Sequence, residues 1–381
     1  MTKGSLRRIK AVANKEFIQI RRDPRSLAMA LVIPTFLLLI FGYGLSLDID
    51  HVRTLIWNQD ASSEITRDFL LNFKNSKYFK ITGYTDNYRD IERQINNGKI
   101  MMAIIIPKDF SRYLKSGSPA PMQLLVDGSD ANTATIAMGY VRTVVSQYNV
   151  ELLSGALSNY GIKPGRSIDA RGRVWFNMGL TSTWFIIPGV LAMVIMVISA
   201  LLSSLCIARE WERGTMEQLI STPVKAPELV IGKFIPYFAI GFFDLIMGVI
   251  MARVLFGVPF RGSYPLLIFL SSLFLTGAIS QGILISVIAR TQLMASQLAN
   301  LSTLIPTVLL SGFIYPIFNM PKAIQSVTYF IPARYYMTVL RGLFLKGNGL
   351  QALWDEALFL FLFAFLMLSI AVMKFKKKVV A

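Results

Sequence analysis

The sequence predicts an α-helical membrane protein with six transmembrane helices and an extracytoplasmic α/β domain inserted between spans 1 and 2. Of its 381 residues, 54% are hydrophobic and only 16% are charged, whereas soluble domains carry about 25% charged residues. Apolar runs of about 18 residues or more recur along the chain, and roughly 20 residues cross the hydrocarbon layer of a bilayer. Residues 48–172 interrupt this pattern with frequent charge and short apolar runs.

Basic residues at both ends of the chain predict its orientation. The first 26 residues contain eight Lys or Arg, and the last eight contain four. Short segments rich in Lys and Arg stay in the cytoplasm. Both termini are therefore predicted to be cytoplasmic, so the number of spans must be even.

The first 47 residues predict a surface helix followed by an uncleaved span. Residues 1–25 form a cytoplasmic amphipathic helix whose apolar positions recur every three to four residues, and the helix should lie on the inner leaflet with its cations against anionic lipid. The apolar face consists of Leu6, Ile9, Ala13, Phe17 and Ile20. Asp23-Pro24 ends the helix. The apolar run 26–47 is too long for a signal sequence, whose apolar region spans about 7–15 residues.

The 48–172 region reads as a small α/β domain because short strands alternate with helices. One span separates it from a cytoplasmic terminus, so we place it outside the cytoplasm. The predicted strands are Thr54–Asn58, Phe79–Tyr84, Met101–Ile106 and Met122–Val126. The predicted helices are Ser62–Phe73, Asn87–Asn97, Pro107–Lys115 and Ala131–Leu157.

Residues 173–381 carry spans 2 to 6, a charged segment at 209–223 and a proline-broken outer region at 316–352 that we interpret as short re-entrant helices. The predicted spans lie at about 180–207, 234–255, 264–289, 294–315 and 355–373.

Catalytic and metal motifs are missing from the sequence. It has no GxxxxGK[ST] loop, no GxGxxG after a strand and no HExxH. With one histidine, His51, and one cysteine, Cys206, the sequence argues against a zinc site of the usual His/Cys kind, and no intramolecular disulfide can form. The net charge of +17 is explained by topology rather than by nucleic acid. We therefore expect no enzyme activity, no cofactor and no metal in this chain.

The segment 209–223, REWERGTMEQLISTP, is a dense mixed-charge stretch between two apolar runs. It is either an ordinary solvated loop or a helix that docks on an ATPase. The clustering of charge where a span leaves the membrane favours docking, since charge complementarity sets partner choice and register.

This segment, together with IGKFIPY at 231–237, resembles the signature of ABC-2 type ATP-binding-cassette exporter permeases, and most closely a bacterial subfamily with a large outer domain after the first span. The similarity extends over the whole chain. Further matching stretches are RRDPRSLAMALVIPTFLLLIFGYG at 21–44, VDGSDANTA at 126–134, GVPFRGS at 257–263, LLSGFIYPIFNMP at 309–321 and YFIPARYY at 329–336.

The resemblance implies a type V exporter-like fold in the bacterial inner membrane and a set of partners. These are two ABC ATPase subunits that bind ATP and Mg²⁺, a second permease that is identical or paralogous, and a periplasmic adaptor if the cell has two membranes. The cargo would be amphiphilic small molecules, drugs among them. The residues implied to face the ATPase are Lys15, Glu16, Arg21, Arg22, Arg209, Glu210, Glu212, Arg213, Gly214, Thr215 and Glu217.

Spans 2 and 5 are implied to line the export path at the dimer interface, where soft apolar side chains suit adaptable recognition. Plain helix packing is the alternative for each of these residues. The candidate path residues are Phe185, Met193, Met196, Gln297, Asn300 and Thr303.

Asp244 and two arginines leave alternatives open. A carboxylate in the middle of a span is a functional candidate by default, so Asp244 contacts substrate, takes a proton, or bonds to Ser280 or Gln281. Arg334 and Arg341 either snorkel to headgroups or guide an anionic, lipid-like substrate outward. The rival functions are a proton-coupled transporter that uses Asp244, and a sensing or mechanotransmitting membrane protein.

Overall fold

The computed structural model describes residues 3–44, 51–129, 131–159, 176 and 181–375. The chain divides into two units, one formed by residues 1–46 and 174–381 and the other by residues 47–173. The end of the predicted first span, the two edges of the predicted α/β domain and the lysines at 376–378 lie outside the described residues.

The larger unit begins with helix α1 (Lys3–Arg22), which is followed by α2 (Pro24–Leu27), a π-helical turn (Ala28–Val32) and α3 (Ile33–Gly44). A helix is confirmed over Lys3–Arg22 of the segment predicted at 1–25. The apolar part of the predicted first span is a helix over Ala28–Gly44, shorter than the other candidate spans.

The 47–173 unit is built on a four-stranded sheet with the order β2-β1-β3-β4, in which β1 pairs in parallel with β2 and β3, and β4 is antiparallel to β3. The four predicted strands and four predicted helices are confirmed, with small shifts at their ends. The elements are β1 (Val52–Asn58), α4 (Glu64–Asn75), β2 (Phe79–Tyr84), α5 (Tyr88–Asn96), β3 (Met102–Ile106), α6 (Phe110–Lys115), β4 (Gln123–Val126) and α7 (Ala131–Asn159).

Helices cover both faces of this sheet, which explains why β3 is apolar at every position. Successive side chains of a strand point to opposite faces. Met102, Ile104 and Ile106 belong to the core shared with α4, α6 and α7, whereas Ala103 and Ile105 pack with Ile91 of α5. The unit therefore has its own two-sided hydrophobic core.

The rest of the larger unit is helical. Its elements are α8 (Ser182–Glu212), α9 (Thr215–Ser221), α10 (Ala226–Val254), α11 (Tyr264–Ala289), α12 (Gln292–Ala299), a π-helical turn (Asn300–Leu304), α13 (Ile305–Leu310), α14 (Lys322–Thr328), α15 (Pro332–Arg341) and α16 (Trp354–Lys374). Three further short helical turns, Ile317–Asn319, Gly342–Lys346 and Leu350–Ala352, complete the broken region predicted at 316–352.

Five helices of the described residues are long and apolar enough to cross a membrane: α8, α10, α11, the combined helix Gln292–Leu310, and α16. The protein is thus mostly helical, with several membrane-spanning helices. Of the most apolar stretch of α8, 89% is buried inside the unit, against 22% for α16 and for Gln292–Leu310. Helix α8 is therefore the central helix, and the last two leave apolar surface for lipid or another protein.

Candidate coupling site at the charged end of the helical unit

The 209–223 segment is two helices rather than one. Helix α8 continues through Glu212, Gly214 takes the left-handed conformation with φ of 68°, and α9 follows at once. Glycine adopts this conformation without the steric penalty of a Cβ atom, and it commonly ends helices in this way. The chain therefore changes direction at Gly214, and a single continuous helix is not formed.

Lys233 is the centre of a buried charge cluster at the carboxyl-terminal end of α8. Its side chain belongs to α10 and is only 1% exposed. Its Nζ donates to Glu16 Oε2 at 2.7 Å, to the Cys206 carbonyl at 3.0 Å and to Glu210 Oε1 at 3.3 Å. One ammonium group thus joins α1, α8 and α10.

Neighbouring donors satisfy the two carboxylates of this cluster. Tyr237 donates its hydroxyl to Glu16 Oε1 at 2.8 Å, and Lys15 Nζ donates to Glu210 Oε1 at 2.8 Å. Thr215, the first residue of α9, donates its hydroxyl to Glu210 Oε2. Two lysines face two glutamates, so the buried charge is balanced, as buried ions require.

A second group of contacts fixes α8 to the start of α12 and to the turn after α1. Arg209 forms an ion pair with Asp23, with 3.1 Å between Nη2 and Oδ2. Its Nε–H also donates to Gln292 Oε1 at 3.4 Å. Glu212 accepts from the Gln292 backbone N–H at 2.7 Å and from its side-chain amide. The last turns of α8 are therefore held by two segments, the turn after α1 and the start of α12.

The hydroxyl of Ser286, near the end of α11, supports the same stretch of α8. Its Oγ accepts from the backbone N–H groups of Ile207 and Ala208, both at 2.9 Å. Helix α11 thus contacts the backbone of α8 directly, beside the carbonyl of Cys206 that accepts from Lys233.

Helix α1 is clamped along α10 by a second ion pair and by a close approach. Arg8 donates Nε and Nη2 to the two carboxylate oxygens of Glu228 at 2.7 and 2.6 Å. This hydrogen bond raises the pKa of the Arg8 guanidinium above its usual value. A Cβ atom at Gly232 would lie 2.7 Å from Val12, so only glycine permits this packing distance.

This packing corrects the predicted apolar face of α1. Ile9 and Ile20 are buried, but Leu6 is 60% and Phe17 is 53% exposed. The buried stripe runs instead through Ile9, Val12, Glu16 and Ile20. The apolar pattern alone leaves out Glu16 because its burial depends on Lys233, a residue 217 positions away.

The residues implied to face an ATPase fall into two groups. Glu16, Arg209 and Glu210 are buried and paired inside the unit. The exposed or half-exposed members are Lys15, Arg21, Arg22, Glu212, Arg213, Gly214, Thr215 and Glu217. The first group can position the second, and only the second presents surface to a partner.

The candidate path residues also divide by burial. Phe185, Gln297 and Asn300 are exposed, whereas Met193, Met196 and Thr303 are buried within the single chain. Met196 and Thr307 line a cavity of about 330 Å³ together with Gln281, Ser302 and Pro306. Volumes of about 300–1,000 Å³ are typical of small-molecule sites.

Asp244 is buried, and its Oδ1 has no hydrogen-bond partner among the described residues. The Ser280 hydroxyl is also buried without a partner in the described part of the chain, and Gln281 donates to Ser302 at 3.4 Å. The predicted hydrogen bond from Ser280 or Gln281 to Asp244 is therefore not formed. Contact with substrate and uptake of a proton remain as predictions for this carboxyl group.

The sequence analysis missed Lys233, Tyr237, Asp23, Gln292 and Ser286. For Lys233 there was a signal: it is the one charged residue between Glu228 and Asp244 in α10, four residues before a tyrosine. The span predicted at 234–255 places it at a boundary instead. The other four residues pair across distances in sequence that local patterns do not report.

The buried apolar helix α8 and the further helices long enough to cross a membrane define a multi-pass membrane protein. The chain belongs to the ABC-2 family of transporter proteins, which it matches over residues 25–373. This confirms the resemblance drawn from the sequence. Permeases of this family work with ATPase subunits in ABC transporters.

The relatives carry names that agree with the family. The chain is 39% identical over 376 residues to the "Probable multidrug ABC transporter permease YbhS" of Escherichia coli strain K12, covering 98% of both chains. It is 28% identical over 374 residues to the corresponding YbhR, covering 98% of this chain and 99% of YbhR. The "Linearmycin resistance permease protein LnrN" of Bacillus subtilis is 21% identical over 365 residues, which is 90% of this chain and 92% of LnrN.

Proposed function

We propose that this chain is the membrane subunit of an ATP-driven exporter and that two separate ATPase subunits supply the force. The observation that carries the proposal is the construction of the 209–223 segment. Helix α9 follows Gly214 and exposes charged side chains. The end of α8 just before it is held in place, because Arg209 and Glu210 contact α1 and the turn after it, α10 and α12. Movement imposed on α9 would be passed to these helices rather than lost in a flexible loop.

The contact surface for the ATPase consists of the exposed part of the segment. Arg213, Glu217 and the neighbouring Glu212 present charge of both signs, which suits selection of a partner by charge complementarity. The exposed cations of α1, Lys15, Arg21 and Arg22, extend this surface or meet anionic lipid. ATP and Mg²⁺ would be bound by the ATPase and not by this chain.

The transport cycle would alternate the exposure of a path formed with a second permease. The apolar surface left open on Gln292–Leu310 supports such a pairing. In this proposal six helices span the inner membrane, both termini are cytoplasmic, and the 48–172 domain lies outside, where it can meet a periplasmic adaptor. The multidrug names of the E. coli relatives support amphiphilic cargo.

Co-purification tests the ATPase contact. A tagged chain co-expressed with an ABC ATPase subunit from the same genome should retain that ATPase through membrane extraction. Glu217→Lys reverses an exposed charge on α9 and should lower the retained ATPase several-fold, because like charges at an interface are repulsive. Asp355→Lys is the matched control. Asp355 is also exposed, but it lies in the first turn of α16, which the proposed topology places on the opposite side of the membrane from α9. Equal retention by the wild type and Glu217→Lys would contradict the placement of the contact on α9.

A further inference from the structure

Arg341, the last residue of α15, contacts an aromatic ring of α8 and the backbone just after α13. Its guanidinium carbon lies 3.7 Å from the ring centroid of Phe185, at the start of α8. Its Nη1 donates to the Gly312 carbonyl, just after α13, at 3.4 Å. This is a long hydrogen bond, close to the limit at which such a contact contributes.

Two of the three guanidinium nitrogens lack a hydrogen-bond acceptor in the described part of the chain. Arg341 Nε and Nη2 are buried and have no hydrogen-bond partner among the residues that the structure describes. No described carboxylate forms an ion pair with this residue. A buried charged donor without an acceptor carries the full cost of its desolvation, so it requires an explanation such as a bound ion or a functional role.

Arg334, seven residues earlier on the same helix, shows what a satisfied arginine looks like here. Its Nη1 donates to the Thr328 hydroxyl at 2.5 Å, and its guanidinium carbon lies 4.1 Å from the Tyr329 ring centroid. The missing acceptors of Arg341 are therefore particular to its site and are not shared by every cation of α15.

The surroundings of Arg341 combine aromatic side chains with a close approach to the backbone of α8. An added Cβ at Gly189 would lie 3.5 Å from Nη2 and 2.7 Å from the ring of Phe313, so Phe313 packs directly against this glycine. Phe313 packs edge-on against Phe41, with ring centroids 6.2 Å apart. The ring that directly adjoins the guanidinium is Phe185, which is 40% exposed and so offers apolar surface next to the charge.

We propose that Arg341 is an anion-binding subsite whose Nε and Nη2 hold the oxygens of a carboxylate or phosphate on an amphiphile, with Phe185 against the apolar part next to that group. The planar guanidinium matches such oxygens in a two-pronged contact. The ligand is either the headgroup of an anionic lipid or an exported anionic amphiphile. Only the second identity rests on the proposed export function.

Binding to the purified chain in phosphatidylcholine nanodiscs tests the subsite without any ATPase, so its failure is distinguishable from a failure of ATP-driven export. The probe is 11-(dansylamino)undecanoic acid, and its methyl ester is the uncharged control. Dansyl fluorescence is measured above that of empty nanodiscs. Because a hydrogen-bonded charge contributes about 1.5–3 kcal/mol, the acid should bind roughly ten to a hundred times more tightly than the ester. Equal affinities for acid and ester would overturn the proposal.

Matched variants locate the preference. Arg341→Met should abolish the preference for the acid, Arg341→Lys should keep part of it, and Arg334→Met should leave it unchanged. If Arg341→Met retains the wild-type preference, the anion binds elsewhere and the proposal is wrong. If that variant does not fold, Arg341→Lys and the acid-to-ester comparison on the wild type decide the question.

Adding an anionic lipid to the nanodiscs distinguishes a lipid-headgroup site from a site for an exported amphiphile. One-fifth of the phosphatidylcholine is replaced by phosphatidylglycerol, and Arg341→Lys in the same discs corrects for the repulsion of the probe by the charged bilayer. Competition by phosphatidylglycerol identifies the site as a lipid-headgroup site, whereas undiminished binding assigns it to a mobile amphiphile. Both outcomes support the anion subsite, and both leave the ATPase contact to be tested separately.

Discussion

At the scale of single residues, the charged end of the helical unit depends on Lys233. This lysine is the buried cation that Glu16 and Glu210 share, and Lys15 supplies the second positive charge to Glu210. A buried ion pair adds little stability relative to an apolar replacement of the whole pair, yet the loss of one partner is severe because the other charge stays buried. The cluster therefore serves to specify how α1, α8 and α10 meet.

Lys233→Met should lower the free energy of unfolding by about 3–5 kcal/mol, because both glutamates lose their central partner. The measurement is the thermal unfolding temperature of the purified chain in detergent, with Lys322→Met as the control at an exposed lysine. Adding Glu16→Gln to Lys233→Met should cause less loss than the sum of the two single losses, since one stranded carboxylate is removed. Strictly additive losses would mean that the two residues do not act as a pair.

At the scale of elements, the direction of α9 depends on one backbone conformation. Gly214 has φ of 68°, and an L-residue there costs roughly 1–2 kcal/mol. Gly214→Ala should therefore favour continuation of α8 into α9 and displace the exposed charges from their contact. We expect retained ATPase to fall several-fold in the co-purification described above, with only a small shift in unfolding temperature. Gly349→Ala, at a glycine with negative φ and open space, should change neither.

Elements were more predictable from sequence than their contacts. The strands and helices of the 47–173 unit follow from short apolar runs separated by charge, and the left-handed end of α8 has a signal in Gly214, a glycine just after a charged turn. The π-helical turn at Asn300–Leu304 is also understandable, because Pro306 lacks an N–H group for the Ser302 carbonyl. The Lys233 cluster and the Arg209–Asp23 pair were not predictable, since they join residues far apart in sequence whose neighbours carry no shared pattern.

At the scale of the whole molecule, the proposed function requires that the 209–223 segment and the 48–172 domain lie on opposite sides of the membrane. Two exposed positions, Gln218 on α9 and Ser118 after α6, allow each side to be tested with one cysteine. The native background is favourable because the single cysteine, Cys206, is buried and can be replaced by alanine.

A membrane-impermeant maleimide applied to spheroplasts should label Ser118→Cys at once, whereas Gln218→Cys should react only after the cells are lysed. We expect this result because short segments rich in Lys and Arg, such as the amino terminus, favour the cytoplasmic side of the membrane. Labelling of Gln218→Cys in sealed spheroplasts would place α9 outside the cell, where no ATPase could reach it, and would rule out the proposed mechanism.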